Sequence, residues 1–200
     1  MKKCPNDLNR TMFFFTFMNW DYVHGLFSAD GSIYVEKRNQ NKRLKITLKQ
    51  REVIRQIASF LTNQGFTPKV FREKKILKDG TPREYWTVRL NKQREISLFT
   101  NKKPPHLSLD FIAGFSDGDG CFRFYNTKGN LKPLKMFTFH VSKERKIKLL
   151  KDIKKFLESG WKIRIREYHK QTYQFSITNK KSYELFKDLM NKKLYVKTPV

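Results

Sequence analysis

Residues 21–31 and 110–120 are one stretch written twice. The first reads Asp21-Tyr22-Val23-His24-Gly25-Leu26-Phe27-Ser28-Ala29-Asp30-Gly31 and the second Asp110-Phe111-Ile112-Ala113-Gly114-Phe115-Ser116-Asp117-Gly118-Asp119-Gly120. In register they share Asp at 21/110, Gly at 25/114, Asp at 30/119 and Gly at 31/120, with apolar matches at 22/111, 23/112 and 26/115. A repeat of this kind demands two similar units in one chain, which narrows the fold more than any single element does. Each copy reads as a short helix with Asp21 or Asp110 as its N-cap. Gly25 with Ala29, and Gly114 with Gly118, give each helix a small-residue face at a spacing of four, which lets two helix backbones approach closely. Glycine inside a helix costs about 1 kcal/mol relative to alanine, and close packing can offset that. Each helix ends at Asp-Gly, its carboxylate facing the negative end of the helix dipole. One Asp-Gly is commonly a turn; here it recurs in register, each time at the foot of a small-faced helix and ahead of a strand-like run. Packed together, the helices would bring Asp30 and Asp119 close at their feet, where like charges repel unless cations lie between them.

The segments after the two motifs repeat as well. In the first half, residues 32–37 and 43–49 alternate as strands, with Leu44, Ile46 and Leu48 inward and Arg43, Lys45, Thr47 and Lys49 outward. Asn39-Gln40-Asn41 lies between them as a turn. Residues 52–64 carry a helical stripe of Val53, Ile54, Ile57, Phe60 and Leu61, stopped by Gly65. Residues 69–75 and 84–90 form a hairpin around Asp79-Gly80, with Arg83, Tyr85, Thr87 and Arg89 outward, and 94–99 make a third helix. In the second half, strands at 121–126 and 135–141 flank a turn at Gly129, with Phe122, Phe124, Phe137, Phe139 and Val141 inward. Arg123, Tyr125, Lys135, Thr138 and His140 are read as outward. A helix over 143–157 ends near Gly160, with Ile147, Leu150, Ile153, Phe156 and Leu157 in its stripe. Strands over 161–168 and 173–178, the former with Lys162, Arg164 and Arg166 outward, lead to a last helix over 182–191. The fold expected is α+β: two pseudo-symmetric αββαββα halves with antiparallel, saddle-like sheets, packed through the two motif helices. The divisions expected are a leader at 1–20, a first half at 21–100, a Lys- and Pro-containing linker at 101–108 and a second half at 109–200.

Charge narrows the partners. Lys and Arg number 43 against 18 Asp and Glu, a net charge of +25 that points to a polyanion. The outward strand faces concentrate that charge. Arg43, Lys45, Arg72, Arg83 and Arg89 in the first half, and Arg123, Lys135, Lys162, Arg164, Arg166 and Gln174 in the second, are the nucleic-acid-binding candidates. An antiparallel ribbon can enter the DNA major groove, where Arg and Lys read guanine and Gln reads adenine. Cys4 and Cys121, and four scattered His residues, supply neither a disulfide framework nor a zinc spacing. The apolar run 12–18 is far short of the ~20 residues of a membrane span, and no cleavage site comes after it. It reads as a leader strand or coil against the body, and no membrane partner is expected.

Both stretches resemble the LAGLIDADG motif of homing endonucleases, in the two-motif, single-chain form, and the resemblance spans roughly residues 20–195. The second copy is the closer match. Ser28 stands where the motif has its first Asp, kept as Asp117 in the second copy, and His24 is unusual at the second motif position. The resemblance implies a monomeric, site-specific double-strand DNA endonuclease that hydrolyses phosphodiesters with Mg²⁺ or another divalent cation at a long asymmetric site. In that family the penultimate Asp of each motif binds the catalytic metals, which falls on Asp30 and Asp119. A polar or basic shell positions the attacking water; its candidates here are Gln50 and Lys143 after the second strand of each half, and Lys92 and Lys180 ahead of each third helix. Such positions equally serve as solvated surface or helix caps.

Two other readings accompany the nuclease. One is an RNA-binding protein on the same scaffold, a group I intron maturase or a derivative bound to structured RNA or the ribosome, without cleavage. The other is a basic architectural protein whose repeats only build symmetry, which would leave the Asp pair without a purpose. The heavy use of Lys, Phe, Asn and Ile suits an AT-rich, intron-encoded organellar gene, and a mitochondrial location is the matching expectation.

Overall fold

Alternation and capping, element by element, build two similar halves. The structure is a computed structural model and describes residues 18–37, 40–76, 79–102, 106–125, 134–142, 144–157, 163–169, 172–191 and 193. The first half runs α1 (Trp20–Asp30), β1 (Gly31–Val35), β2 (Lys42–Leu48), α2 (Arg51–Asn63), β3 (Lys69–Ile76), β4 (Pro82–Leu90) and α3 (Gln93–Asn101). The second runs α4 (Leu109–Asp119), β5 (Gly120–Tyr125), β6 (Leu134–Ser142), α5 (Glu144–Leu157), β7 (Ile163–His169), β8 (Thr172–Ile177) and α6 (Lys180–Asn191). Each half is thus αββαββα, and each sheet is antiparallel with order β1-β2-β4-β3 or β5-β6-β8-β7. The two hairpins of a half are joined by their second strands, so β2 and β4, or β6 and β8, are central.

One face of each sheet is closed by helices. Leu44, Ile46, Leu48, Val88 and Leu90 are buried with Val53, Ile54, Ile57 and Leu61 of α2 in one continuous core. In the second half Phe137, Phe139, Phe175 and Ile177 are buried with Leu150, Ile153 and Leu157 of α5 and Tyr183, Phe186 and Met190 of α6. Each such side chain contributes about 1.5–3 kcal/mol on burial. Phe156, placed in the apolar stripe of α5 by sequence, is 43 % exposed, because that stripe closes on Ile153 and Leu157 instead. Among the described residues no helix is long and apolar enough to cross a membrane.

The caps differ from expectation. Asn19 and Ser108, not Asp21 and Asp110, cap the motif helices: the Asn19 side chain accepts from the Tyr22 N–H at 2.9 Å and Ser108 Oγ from the Phe111 N–H at 3.2 Å. Asp21 and Asp110 sit in the first turn, where their charge suits the helix dipole. Asp110 also receives Asn19 Nδ2 at 2.8 Å and pairs with Lys193 beyond α6. Trp20, counted with the leader by sequence, opens α1, its ring centroid 5.1 Å from that of Phe60, 5.6 Å from Phe66 and 5.9 Å from Phe99. Asn101, counted with the linker, closes α3.

Two residues assigned to the open sheet face lie on the other side. Lys135 pairs across from Phe124 and shares the parity of Phe137 and Phe139, so it points to the helices and meets Glu184 at 2.9 Å. That ammonium holds the Glu184 carboxyl below its ordinary value. Arg72 pairs across from Trp86, on the helix side of β4, and bonds Glu84, whose carboxyl it likewise depresses. The turns expected at Asn39, Gly129 and Gly160, the candidates Lys143 and Lys162, and residues 1–17 lie outside the described residues, as do the side chains of Arg123, Phe124, Tyr125 and Arg166.

Candidate functional site

The two motif helices touch backbone to backbone. A Cβ on Gly25 would fall onto the Phe111 carbonyl, 2.8 Å from its carbon and 2.9 Å from Phe115 N. A Cβ on Gly114 would meet Tyr22 in the same way, 2.8 Å from Leu26 N and 2.9 Å from the Tyr22 carbonyl carbon. These mirrored contacts are a local two-fold axis between the halves. One turn further down, Gly118 faces Ala29, its matched residue, and a Cβ there would lie 3.0 Å from Asp30 Oδ2.

The two-fold is broken by one buried pair. Tyr22 Oη donates to Asp117 Oδ2 at 2.8 Å across the interface, and Asp117 is buried. The matched residues on the other side are Phe111 and Ser28, and Ser28 Oγ bonds the His24 carbonyl of its own helix at 2.8 Å. Tyr22→Phe removes a donor from a buried carboxylate, and a loss of about 1–3 kcal/mol is expected. Thermal unfolding of that variant measures it; an unchanged midpoint would refute the role given to the pair.

At the feet of the helices, Asp30 is exposed and Asp119 half-buried. The Asp30 carboxylate lies over Gly118, the residue before Asp119, so the two acids come together where two helix C-termini converge. Both negative dipole ends point there too. Among the described residues no cluster of three or more His, Cys, Asp and Glu side chains could hold a metal. Two carboxylates at such a site fit a hard cation that takes the rest of its ligands from water and phosphate oxygens, as Mg²⁺ does.

The sheet registers place the other candidates. Gly31 pairs with Ile46 and Gly120 with Phe139, so these rows mark the end of each sheet next to the acids. Gln50 caps α2 just past the end of β2, at that same end, and is exposed. Lys92 and Lys180 do not join the acids. Gln93, next to Lys92, bonds both the N–H and the carbonyl of Lys42, at 3.3 and 2.9 Å, which puts Lys92 at the far end of its sheet. Four residue steps along the strand separate Lys42 from Ile46, about 13 Å at ~3.3 Å per residue. Lys92 instead caps α3 and lies 3.3 Å from Glu95, whose Oε1 also accepts Thr67 Oγ1 at 2.6 Å. Lys180 opens α6 in the corresponding place. Both strands leading there, β4 and β8, run away from the motif, which the sequence pattern alone does not reveal.

On the face away from the helices, Arg43, Lys45, Thr47, Arg83, Thr87 and Arg89 share one side of the first sheet, and Thr138, His140, Arg164, Gln174 and Ser176 one side of the second; Thr138 and Gln174, expected outward, are buried there, as is Ser176. Lys69 and Phe71, which alternation does not assign to a face, belong to the first set. Arg43 is held by Glu36 at 2.6 Å. Thr87 is buried rather than outward, its hydroxyl 2.8 Å from that of Thr47.

Comparison with known proteins matches this geometry to one architecture. Residues 20–103 match the family model described as "LAGLIDADG-like domain", and residues 112–198 that described as "LAGLIDADG endonuclease". No curated protein sequence matches the chain. Solved structures with the same fold include "The homing endonuclease I-WcaI bound to its DNA recognition sequence", at 19 % identity and a TM-score of 0.62, covering 90 % of this chain and 86 % of that one. The homing endonuclease I-GzeII in complex with its DNA target has 14 % identity, a TM-score of 0.63 and coverage of 90 % and 85 %. The meganuclease I-AabMI bound to uncleaved DNA has 11 % identity, a TM-score of 0.66 and coverage of 90 % and 86 %.

Proposed function

The chain belongs to the LAGLIDADG endonuclease family, and from that premise we propose that it is a site-specific DNA endonuclease cutting both strands of a long duplex site. The observation that carries this reading is the meeting of Asp30 and Asp119 at the feet of paired helices, beside a first sheet whose face away from the helices carries Arg43, Lys45, Lys69, Arg83 and Arg89 and a second whose corresponding face carries Arg164. The DNA-bound states of the three fold neighbours support the same partner.

Asp30 and Asp119 are the residues that would hold Mg²⁺ or another divalent cation. Bound there, the cation supplies charge neutralisation at the scissile phosphate and lowers the pKa of a coordinated water. The chain's own part is placement. The Gly25 and Gly114 contacts fix the distance between the acids, so that each is set against one strand of a duplex lying across the axis. Gln50, past the end of β2, would hydrogen-bond the attacking water in the first half, and Lys143 is its counterpart by sequence. Arg43, Lys45, Arg83 and Arg89, with Arg164, hold the duplex on either side.

Incubation of the protein with a randomised duplex library and Mg²⁺ tests this. Double-strand cuts confined to related sequences, and lost in EDTA, are expected. Duplex affinity should fall about 10³-fold or more between 50 and 200 mM salt, as when six or more phosphates are neutralised. A flat salt response would remove the basic faces from the interface. Tight binding to structured RNA with no cut duplex would overturn the nuclease.

A further inference from the structure

The outer faces of α2 and α5 hold the same place in their halves and differ in what they show to solvent. Ile54, Ile57 and Leu61 of α2 match Leu150, Ile153 and Leu157 of α5, and all six are buried. In that register Phe60 matches Phe156. Phe60 is half-buried, its ring edge-on to Trp20 with centroids 5.1 Å apart. The motif repeat puts Leu109 where the first half has Trp20, and Phe156 is left 43 % exposed. Leu149, two turns before Phe156 on the same ridge of α5, is half-buried.

Charge separates the two helices as well. The exposed positions of α2 hold Glu52, Arg55, Gln56 and Ser59, and Arg55 pairs with Glu52 at 3.4 Å. The matched positions of α5 hold Lys148, Lys151, Asp152 and Lys155, all exposed. Among the described residues, no carboxylate lies within ion-pair distance of those three lysines. Lysines three and four residues apart on one helix face repel and weaken the helix. A duplex on the far side of the sheet gives them no task, because α5 packs its buried face on the helix side of the second sheet and turns these residues away from it.

We propose that the outer face of α5 is a docking surface for an acidic amphipathic helix of a partner protein. Phe156 and Leu149 are its apolar anchors, about 10 Å apart along the axis at ~1.5 Å per residue. A partner helix with apolar residues seven apart repeats at the same interval. Lys148, Lys151 and Lys155 form the rim that meets its carboxylates, which supplies orientation and register. Asp152 decides the class of partner. It stands on the same face, four residues after Lys148 and three before Lys155. A nucleic-acid backbone offers only negative charge and meets that carboxylate as a like charge, whereas a protein helix can set a lysine or arginine against it.

Fluorescence anisotropy of the full chain with two labelled peptides of one composition tests this. In one, Leu recurs every seven residues among Glu and a single Lys; in the other the same residues are scrambled. The patterned peptide should bind about tenfold tighter or more. Phe156→Ser should weaken that binding about tenfold or more, as truncation of a central anchor does. It should leave the scrambled peptide, the thermal midpoint and duplex binding as in the wild type. Lys148→Glu/Lys151→Glu/Lys155→Glu should abolish the preference for the patterned peptide. Amide hydrogen exchange of the wild-type chain should slow on α5 and not on α2 when the patterned peptide binds, a readout independent of any variant. Equal affinity for the two peptides, or slowing that bypasses α5, would overturn the inference and leave only the pull of the net charge of +25. A single-stranded RNA oligonucleotide whose binding falls about tenfold in Phe156→Ser would assign the surface to nucleic acid and overturn it as well.

Discussion

Asp30→Asn and Asp119→Asn should each abolish double-strand cleavage and leave duplex binding in place. Asparagine keeps the size of the side chain and removes the charge that would hold a divalent cation. Losing even 3 kcal/mol of transition-state stabilisation slows a reaction by roughly two orders of magnitude, and cation chemistry at a phosphate supplies several kcal/mol. Affinity is expected to move the other way in EDTA. Without a cation, the wild-type acids face the phosphates as like charges, and each Asn substitution relieves one repulsion. Cleavage and binding of a selected target, measured side by side with and without Mg²⁺, distinguish loss of chemistry from loss of fold. A single variant that cuts both strands at the wild-type rate would remove its Asp from the catalytic assignment.

Gly25→Leu and Gly114→Leu should be the most damaging single changes to stability. A Cβ at either position meets the partner helix's backbone, not the far end of a flexible side chain. Relief therefore requires the helices themselves to part. Overpacking in a well-filled core costs about 1–3 kcal/mol, and a backbone clash places these variants at or above the top of that range. Against a total stability of ~5–15 kcal/mol, a 3 kcal/mol loss lowers the midpoint of a chain this size by about 6–12 °C. Either variant should also lose cleavage, because separating the helices separates Asp30 from Asp119. Gly80→Asn is the control: that glycine sits at φ +78 with open space around it, a conformation Asn tolerates. A Gly25→Leu midpoint equal to that of the control would refute the tight helix pairing.

The repeat makes the paired helices legible, and the alternation of Leu44, Ile46 and Leu48 makes β2 legible, because in both the apolar pattern has one solution. Lys135 is misplaced by its charge although its parity with Phe137 and Phe139 points inward; the long stem reaches Glu184 from the helix side. Arg72 has no such cue. β3 carries charged residues on both faces, so nothing in Lys69–Ile76 says which side is covered until the pairing with Trp86 is known. Lys92 and Lys180 attract attention because their local contexts match, yet a matched context fixes only that both stand at the same place in their halves. That place is the wrong end of the sheet. Tyr22 and Asp117 are each visible as a departure from the repeat, but they are 95 residues apart, and only the register of one helix on the other makes the two departures complementary.

That complementarity gives the interface a direction. Were two copies of the second half to meet about the same axis, each Asp117 would be buried against a Phe111 ring with no hydroxyl to receive, a penalty of about 1–3 kcal/mol for each carboxylate. Two copies of the first half would set each Tyr22 hydroxyl against Ser28 and gain no carboxylate. The halves still share a ground plan but are no longer interchangeable parts: the buried pair favours each half with the other over a copy of itself, as in a heterodimer whose two partners are joined in one chain.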